Sequence, residues 1–422
     1  MALTTTTQPV PATAVPPRPA SKPTPRWRNR ESLTAWLFLL PSLIGFLIFT
    51  AGPVVAAGVI SLLDWNLFSP PTWAGLRNFA RLGPDPTFWS ALGNTAYFTF
   101  VSVPLTILVS LALALLLNQG LRRIAVFRSL LLLPYATITV AVAFVWIWLY
   151  IPHDGLANAT LGLFGIHGPA WLISDNWAMP ALILMSVWKS FGFGMVVFLA
   201  GLQAIPQQLY EAARVDGTSP WQSLRNVTLP MLSPALFFVI VTSIIGSFQV
   251  FDQALIMTNG GPGTRTTTLV MYIYRTGFEN YDQGYAAAQS LVLFAFIVLI
   301  TATQFFLGIP RDYEEAARLD GANRWQAFIR VIVPLAVPAI ATLAVFKFIG
   351  QWNNLLWPLV ISNSDATRTA SVGLQVFQDT NGTQWNLLLM AATVTTVPLI
   401  ILFFLTQRWF VRGITMSGLG GR

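Results

Sequence analysis

Six polar or aromatic side chains stand in stretches that are otherwise almost wholly apolar: Lys189, Gln249, Asp252, Trp352, Asn353 and Asn354. A polar group inside a long apolar run is costly, so it usually faces a cavity or another helix. Amides beside indole rings suit a solute with many hydroxyls and apolar C–H faces, and Lys189 could neutralise an anionic one. The same residues have a structural use, because Gln and Asn bond between helices, Trp favours the edge of a bilayer and Lys can snorkel. Other chemistry finds few residues. The chain has no cysteine and two histidines, His153 and His167, both in a Pro/Gly-rich stretch, so a disulfide framework or thiolate metal site is excluded. Gly260-Gly261-Pro262-Gly263 lacks a following Gly-Lys-Ser/Thr and reads as a turn; no Walker A motif occurs, so any ATP must be bound by another polypeptide.

These residues are carried by long charge-poor segments. Of 422 residues, 55% are hydrophobic and 9% charged, against about 25% charged in an average soluble chain. Eight segments, near 35–63, 91–117, 129–150, 177–203, 231–257, 285–307, 333–361 and 386–407, each hold enough apolar residues to cross a bilayer as a helix. Alternating strands of the barrel kind are absent, and backbone groups in lipid must bond within their own segment. The fold class expected is all-α: a polytopic transmembrane helical bundle of about eight spans, with the lipid bilayer as its solvent.

The net charge of +8 is distributed by side rather than clustered for nucleic acid. With the N-terminus inside, 17 Lys and Arg fall on the inner side and five on the outer: Arg77, Arg81, Arg265, Arg275 and Arg368. This positive-inside asymmetry predicts both termini in the cytoplasm. Residues 1–30, with seven prolines and five basic residues, read as a disordered cytoplasmic tail.

A repeat separates two of these spans from the rest. Residues 205–236 and 309–340 align without a gap at an offset of 104, with 14 of 32 positions identical. In each copy a proline, Pro206 or Pro310, suits a helix start. Glu-Ala-Ala-Arg follows, with the acid placed toward the positive end of the helix. Asp216-Gly217 and Asp320-Gly321 then break it, and a second short amphipathic helix follows, anchored by Trp221 or Trp325, up to Pro230 or Pro334. Two matched elbows on the cytoplasmic face, at 204–230 and 308–334, favour docking of a partner over a bare interfacial loop.

The stretches EAARVDGTSPWQSLRNVTLP (211–230) and EAARLDGANRWQAFIRVIVP (315–334) resemble the cytoplasmic signature of permease subunits of bacterial ABC importers. WKSFGFGMVVFLAGLQAIP (188–206) and FDQALIMTNGGPGTRTTTLVMYIY (251–274) are similar to the first permease of carbohydrate and glycerol-3-phosphate importers, and FIGQWNNLLWPLVI (348–361) to the second. The resemblance implies a type I ABC importer permease in a bacterial inner membrane. It places Glu211, Ala212, Ala213, Asp216, Gly217 and Pro230, and their repeats Glu315, Ala316, Ala317, Asp320, Gly321 and Pro334, on surfaces that couple to an ATPase. It also implies cytoplasmic ATPase subunits, an extracytoplasmic solute-binding protein and a second permease as partners. Substrates would be sugars, polyols or glycerol 3-phosphate, with no enzymatic activity and no cofactor of the chain's own. Residues 31–306 resemble a complete first permease, and 307–422 only the C-terminal part of a second, so the order of motifs predicts a fusion with an internal deletion. An ion-gradient-driven transporter and a non-transporting remnant are the rival readings.

Overall fold

The computed structural model describes residues 40, 44–45, 47–119, 124–308, 348–362, 364, 367–379 and 382–417. The 1–30 tail and the second elbow with Glu315, Ala316, Ala317, Asp320, Gly321 and Pro334 lie outside the described residues. The chain divides into two compact units, 1–56 and 57–422. In the first, the described part is a π-type turn at Leu47–Ala51 and the beginning of the helix Gly52–Ile60.

The second unit is helical. Its principal elements are α1 (Pro86–Leu117), α2 (Ile124–Ala136), α3 (Thr139–Leu149), α4 (Ala178–Ala204), α5 (Gln207–Val215), α6 (Pro220–Ser223), α7 (Ser233–Phe248), α8 (Gln283–Gly308), α9 (Leu356–Ile361) and α10 (Trp385–Ser417). Among the described residues, three helices are long and apolar enough to cross a membrane, α1, α4 and the 283–302 part of α8, and up to five if each bent pair counts as one span. Two two-residue antiparallel ladders, Leu63–Asp64 with Thr72–Trp73 and Gln378–Asp379 with Gly382–Thr383, lie in connections. The architecture is that of a polytopic helical membrane bundle.

α4 is its centre. One face of α1 carries a stripe of small or hydroxyl residues, Ala91, Thr95, Thr99, Ser102, Thr106, Ser110 and Ala114, all buried. Such a stripe lets helix backbones approach closely in a membrane, where packing rather than hydrophobic transfer drives association. Gly194 of α4 meets it: a Cβ there would lie 2.6 Å from Ser110 Oγ, and that hydroxyl donates to Phe191 O at 2.9 Å. Gly192 backs onto α2, where a Cβ would fall 2.8 Å from Leu131 O. α10 packs on α4, α2 and α3, so the C-terminal segment closes the same bundle.

α1 starts at a well-made cap. Asp85 accepts from Thr87 N and Phe88 N at 2.9 and 3.1 Å, with Pro86 at the first helical position. The same carboxylate accepts from Tyr272 Oη at 2.6 Å and Tyr285 Oη at 2.5 Å, tying α1 to two later segments. Burial pushes the Asp85 carboxyl up, but these hydroxyl and backbone donors outweigh it and hold it below its ordinary value. Burial and the neighbouring Asp85 charge raise Tyr272.

Three of the segments read from sequence as continuous spans are broken. The 129–150 segment is two helices, α2 and α3, bent by 94° at Thr137–Ile138. The 231–257 segment stops at Phe248, leaves 249–251 non-helical and resumes as a π-type turn at Ala254–Thr258. The 333–361 segment has a helical stretch at 348–352, leaves 353–355 non-helical and resumes in α9. The last two breaks are 104 residues apart, the offset of the sequence repeat. Each break frees carbonyls that a remote side chain satisfies: Lys189 Nζ donates to Thr137 O at 2.6 Å, Thr268 Oγ1 to Val250 O at 2.8 Å and Ser371 Oγ to Trp352 O at 3.2 Å. Non-helical backbone at membrane depth is tolerated where protein groups satisfy it.

Candidate functional site

The elbow between α4 and α7 is built from local rules. α5 ends at Asp216, and Gly217 follows at φ +72°, the left-handed conformation that favours glycine. Thr218 N donates to Ala213 O at 3.0 Å and Gly217 N to Arg214 O at 3.1 Å, the paired bonds of a Schellman stop. α6 then opens with a reciprocal capping box: Gln222 N donates to Ser219 Oγ at 3.3 Å, and Ser219 N to Gln222 Oε1 at 2.8 Å. Tyr210 Oη and Thr228 Oγ1, 3.1 Å apart, join the two arms.

Two details differ from the sequence reading. Pro206 occupies the capping position rather than the first turn, and Glu211 is the fifth residue of α5, beyond the first turn where the helix dipole acts most strongly. Trp221 does not pack against the protein: it is 68% exposed and Val215 is 87% exposed, which leaves ring and methyls to a membrane surface or a partner. Glu211, Ala212, Asp216, Gly217 and Pro230 are also exposed, while Ala213 is buried against the fold. The elbow thus presents an exposed, capped tip with two apolar side chains and two carboxylates.

The second feature is a cavity of about 900 Å³ among α1, α2, α4 and α7. Its polar lining includes Ser186, Ser190, Thr242 and Gln253, and its aromatic lining Tyr135 and Phe193. The two rings stack with centroids 5.4 Å apart and planes at 23°. Gln253 Nε2 donates to Ser186 Oγ at 3.2 Å, which holds the amide at the wall. Among the described lining residues none carries a charge.

Lys189, Gln249, Asp252, Trp352, Asn353 and Asn354 are not among the lining residues. Instead they gather at the helix breaks. Lys189 is 8% exposed and holds the end of α2. Gln249 follows α7 and is exposed, while Asp252 lies just past the break. Trp352 Nε1 donates to Thr395 O at 3.3 Å. Asn353 Oδ1 accepts from Thr139 N, and Asn354 Oδ1 from Trp357 N, both at 3.3 Å. The lining hydroxyls have one signal in the sequence: Ser186, Ser190 and Gly194 fall four residues apart on one face of α4, a spacing that marks a small, polar stripe.

The loop at 258–268 is a compact turn. Thr266 Oγ1 donates to Gly261 O at 2.7 Å and Thr267 Oγ1 to Gly260 O at 3.2 Å, while Asn94 Nδ2 donates to Thr264 O and Thr267 O at 2.7 and 3.0 Å. The Thr266 and Thr267 hydroxyls are thus spent on the loop's own backbone.

Comparison with known proteins agrees with this arrangement. The family model "Binding-protein-dependent transport system inner membrane component" matches residues 106–307 and 268–416. The sulfoquinovosyl glycerol transport system permease protein SmoG of Agrobacterium fabrum is 35% identical over 287 residues, which are 67% of this chain and 93% of SmoG. The trehalose/maltose transport system permease protein MalF of Thermococcus litoralis is 34% identical over 290 residues, 68% of this chain and 97% of MalF. A solved bacterial alginate ABC transporter, in complex with an alginate pentasaccharide-bound periplasmic protein, matches with TM-score 0.58 and 25% identity, over 66% of this chain and 94% of that one. Helices broken at matched positions, an exposed capped elbow and this likeness over two thirds of its length lead to one assignment: the chain belongs to the inner membrane components of binding-protein-dependent transport systems, a multi-pass permease and not an enzyme.

Proposed function

We propose that this chain is the permease subunit of an ABC importer for neutral sugars or oligosaccharides, with the cavity between α1, α4 and α7 as part of the pathway. The observation that carries the reading is the lining: hydroxyls, one fixed amide and stacked aromatic rings, with no charged side chain among the described residues. Such a surface bonds sugar hydroxyls and covers C–H faces. Among the described residues it offers no cation to offset the desolvation of a phosphate or a polyuronate such as alginate. Trehalose and maltose, named for the MalF relative, are neutral disaccharides of the size the cavity holds.

Nucleotide binding and hydrolysis would occur on separate ATPase subunits. Docking of those subunits at Glu211–Gly217, and at the repeat Glu315–Gly321, would switch the cavity between the two faces of the membrane, because the nucleotide-bound partner favours one of two permease states. A periplasmic solute-binding protein would deliver the sugar. The excess of basic residues on the elbow side, 17 against five, supports both termini in the cytoplasm. The two overlapping family matches, the 104-residue repeat and the two breaks at that same offset support a first permease-like part joined to the C-terminal part of a second.

The test is uptake in vesicles carrying the chain together with an ABC-type ATPase and a solute-binding protein of a carbohydrate importer. Radiolabelled maltose, trehalose, lactose and glycerol 3-phosphate are supplied in turn. Saturable, ATP-dependent uptake of a neutral sugar, lost in Glu211→Arg at unchanged protein level, is the expected result. Uptake that persists in that variant and collapses with an ionophore overturns the reading, as does transport of glycerol 3-phosphate alone.

A further inference from the structure

We infer that Lys189 is a positioning residue for the cavity, acting through the helix break at Thr137–Ile138, and that Asn353 holds the other side of that break. The inference rests on the cavity being the pathway proposed above, and not on which solute uses it.

The last turn of α2 and the first turn of α3 face each other across a 94° bend, so carbonyls on one side and N–H groups on the other lose their helical partners. Pro134 has no N–H to give, and Ile138, the residue before α3, has no side chain that can cap it. Pro134 O accepts from Thr137 Oγ1 at 2.6 Å within its own turn, and two remote side chains supply the rest. Lys189 Nζ donates to Thr137 O at 2.6 Å and to Pro134 O at 3.4 Å. A cation at a helix C-terminus also opposes the negative end of the helix dipole. On the far side, Asn353 Oδ1 accepts from Thr139 N at 3.3 Å, across 214 residues of sequence. The break is thus held from one side by the central helix and from the other by the C-terminal segment.

What the clamp fixes is a wall of the cavity. Tyr135 lies between the two carbonyls that Lys189 grips, and it lines the cavity. Its ring stacks on Phe193, one helical turn beyond Lys189 on the same face of α4. Lys189 and Phe193 therefore hold backbone and ring of the same turn of α2. Lys189 Nζ is itself occupied by these two carbonyls, which leaves it outside the lining.

The chain has no cysteine, so single thiols report position cleanly. Tyr135→Cys reports the wall held by Lys189, and Thr242→Cys reports the wall formed by α7. Full-length protein in membrane vesicles is treated with a small charged methanethiosulfonate, and modification rates are compared with and without Lys189→Met, Lys189→Arg or Asn353→Ala. The expected result is a change of fivefold or more at position 135 in Lys189→Met, less than twofold at 242, return toward the parent rate in Lys189→Arg, and a smaller change of the same sign in Asn353→Ala. Unchanged rates at 135, or equal shifts at both positions, overturn the inference. Should Lys189→Met fail to accumulate in the membrane, Asn353→Ala decides alone: a rate at 135 identical to the parent overturns it. Protection of Thr242→Cys by maltose or lactose tests the cavity reading separately, so the two failures are distinguishable.

Discussion

Replacing Gly217 with valine should uncouple ATP hydrolysis from transport, and the size of the effect follows from the backbone. Gly217 sits at φ +72°, and a Cβ built there meets nothing within 4 Å. Crowding therefore contributes nothing, and the penalty is conformational. An L-residue in the left-handed region costs roughly 1–2 kcal/mol, with β-branched residues at the upper end. A penalty of about 2 kcal/mol shifts an equilibrium by a factor of about 30. α5 has nine residues, and helices shorter than about 12 residues are marginal on their own. The Schellman stop is thus a large share of what fixes the elbow's geometry. The measurement is sugar uptake per ATP hydrolysed in vesicles. Uptake per ATP should fall about 5- to 30-fold for Gly217→Val, less for Gly217→Ala, and least for Gly217→Asn, because asparagine tolerates this region. Normal coupling in Gly217→Val, or an Asn variant as damaged as the Val variant, would refute the argument.

Gly194→Ala should destabilise the bundle by about 1–3 kcal/mol through overpacking, since its Cβ would fall 2.6 Å from Ser110 Oγ; thermal unfolding in detergent should recover in part when Ser110→Ala removes that atom. Ser190→Ala and Gln253→Ala should each raise the apparent KM for the sugar by about 2- to 10-fold, the worth of one hydrogen bond. A fall in maximal rate with unchanged KM would instead place these residues outside the solute's path. Asp85 has its carboxyl held below the ordinary 3.8 by its hydroxyl and backbone donors. A depressed carboxylate adds stability above that ordinary value and loses it as pH falls through the folded value. Asp85→Asn should therefore lower the unfolding temperature at pH 7 and flatten its decline below pH 4.

Much of the fold is written in plain sequence terms. Charge-poor runs long enough to span a bilayer locate α1, α4, α8 and α10, because lipid forces each backbone to satisfy itself. The elbow is equally legible: Asp216-Gly217 needs a left-handed stop, and Ser219 with Gln222 three residues on makes a capping box, both set by residues within a few positions of each other. The breaks were not legible in the same way. Neither 249–251 nor 353–355 contains proline or glycine, and the polar Gln249, Asn353 and Asn354 there do not by themselves say that a helix stops.

Tertiary structure alone decided where those helices stop, since each freed carbonyl is satisfied by a side chain from a distant part of the chain, Thr268, Ser371 or Lys189. It also placed four of the six polar residues, Lys189, Trp352, Asn353 and Asn354, on backbone groups. Sequence set their rarity in apolar surroundings, but whether an amide or ammonium faces a solute or a backbone depends on how helices cross. Lys189 meets Thr137 O, and Asn353 meets Thr139 N, only because α4 and the C-terminal segment pack on both sides of one bend. The lining hydroxyls show the converse: Ser186, Ser190 and Thr242 look ordinary along the chain and acquire a shared surface only when α4 and α7 are brought side by side.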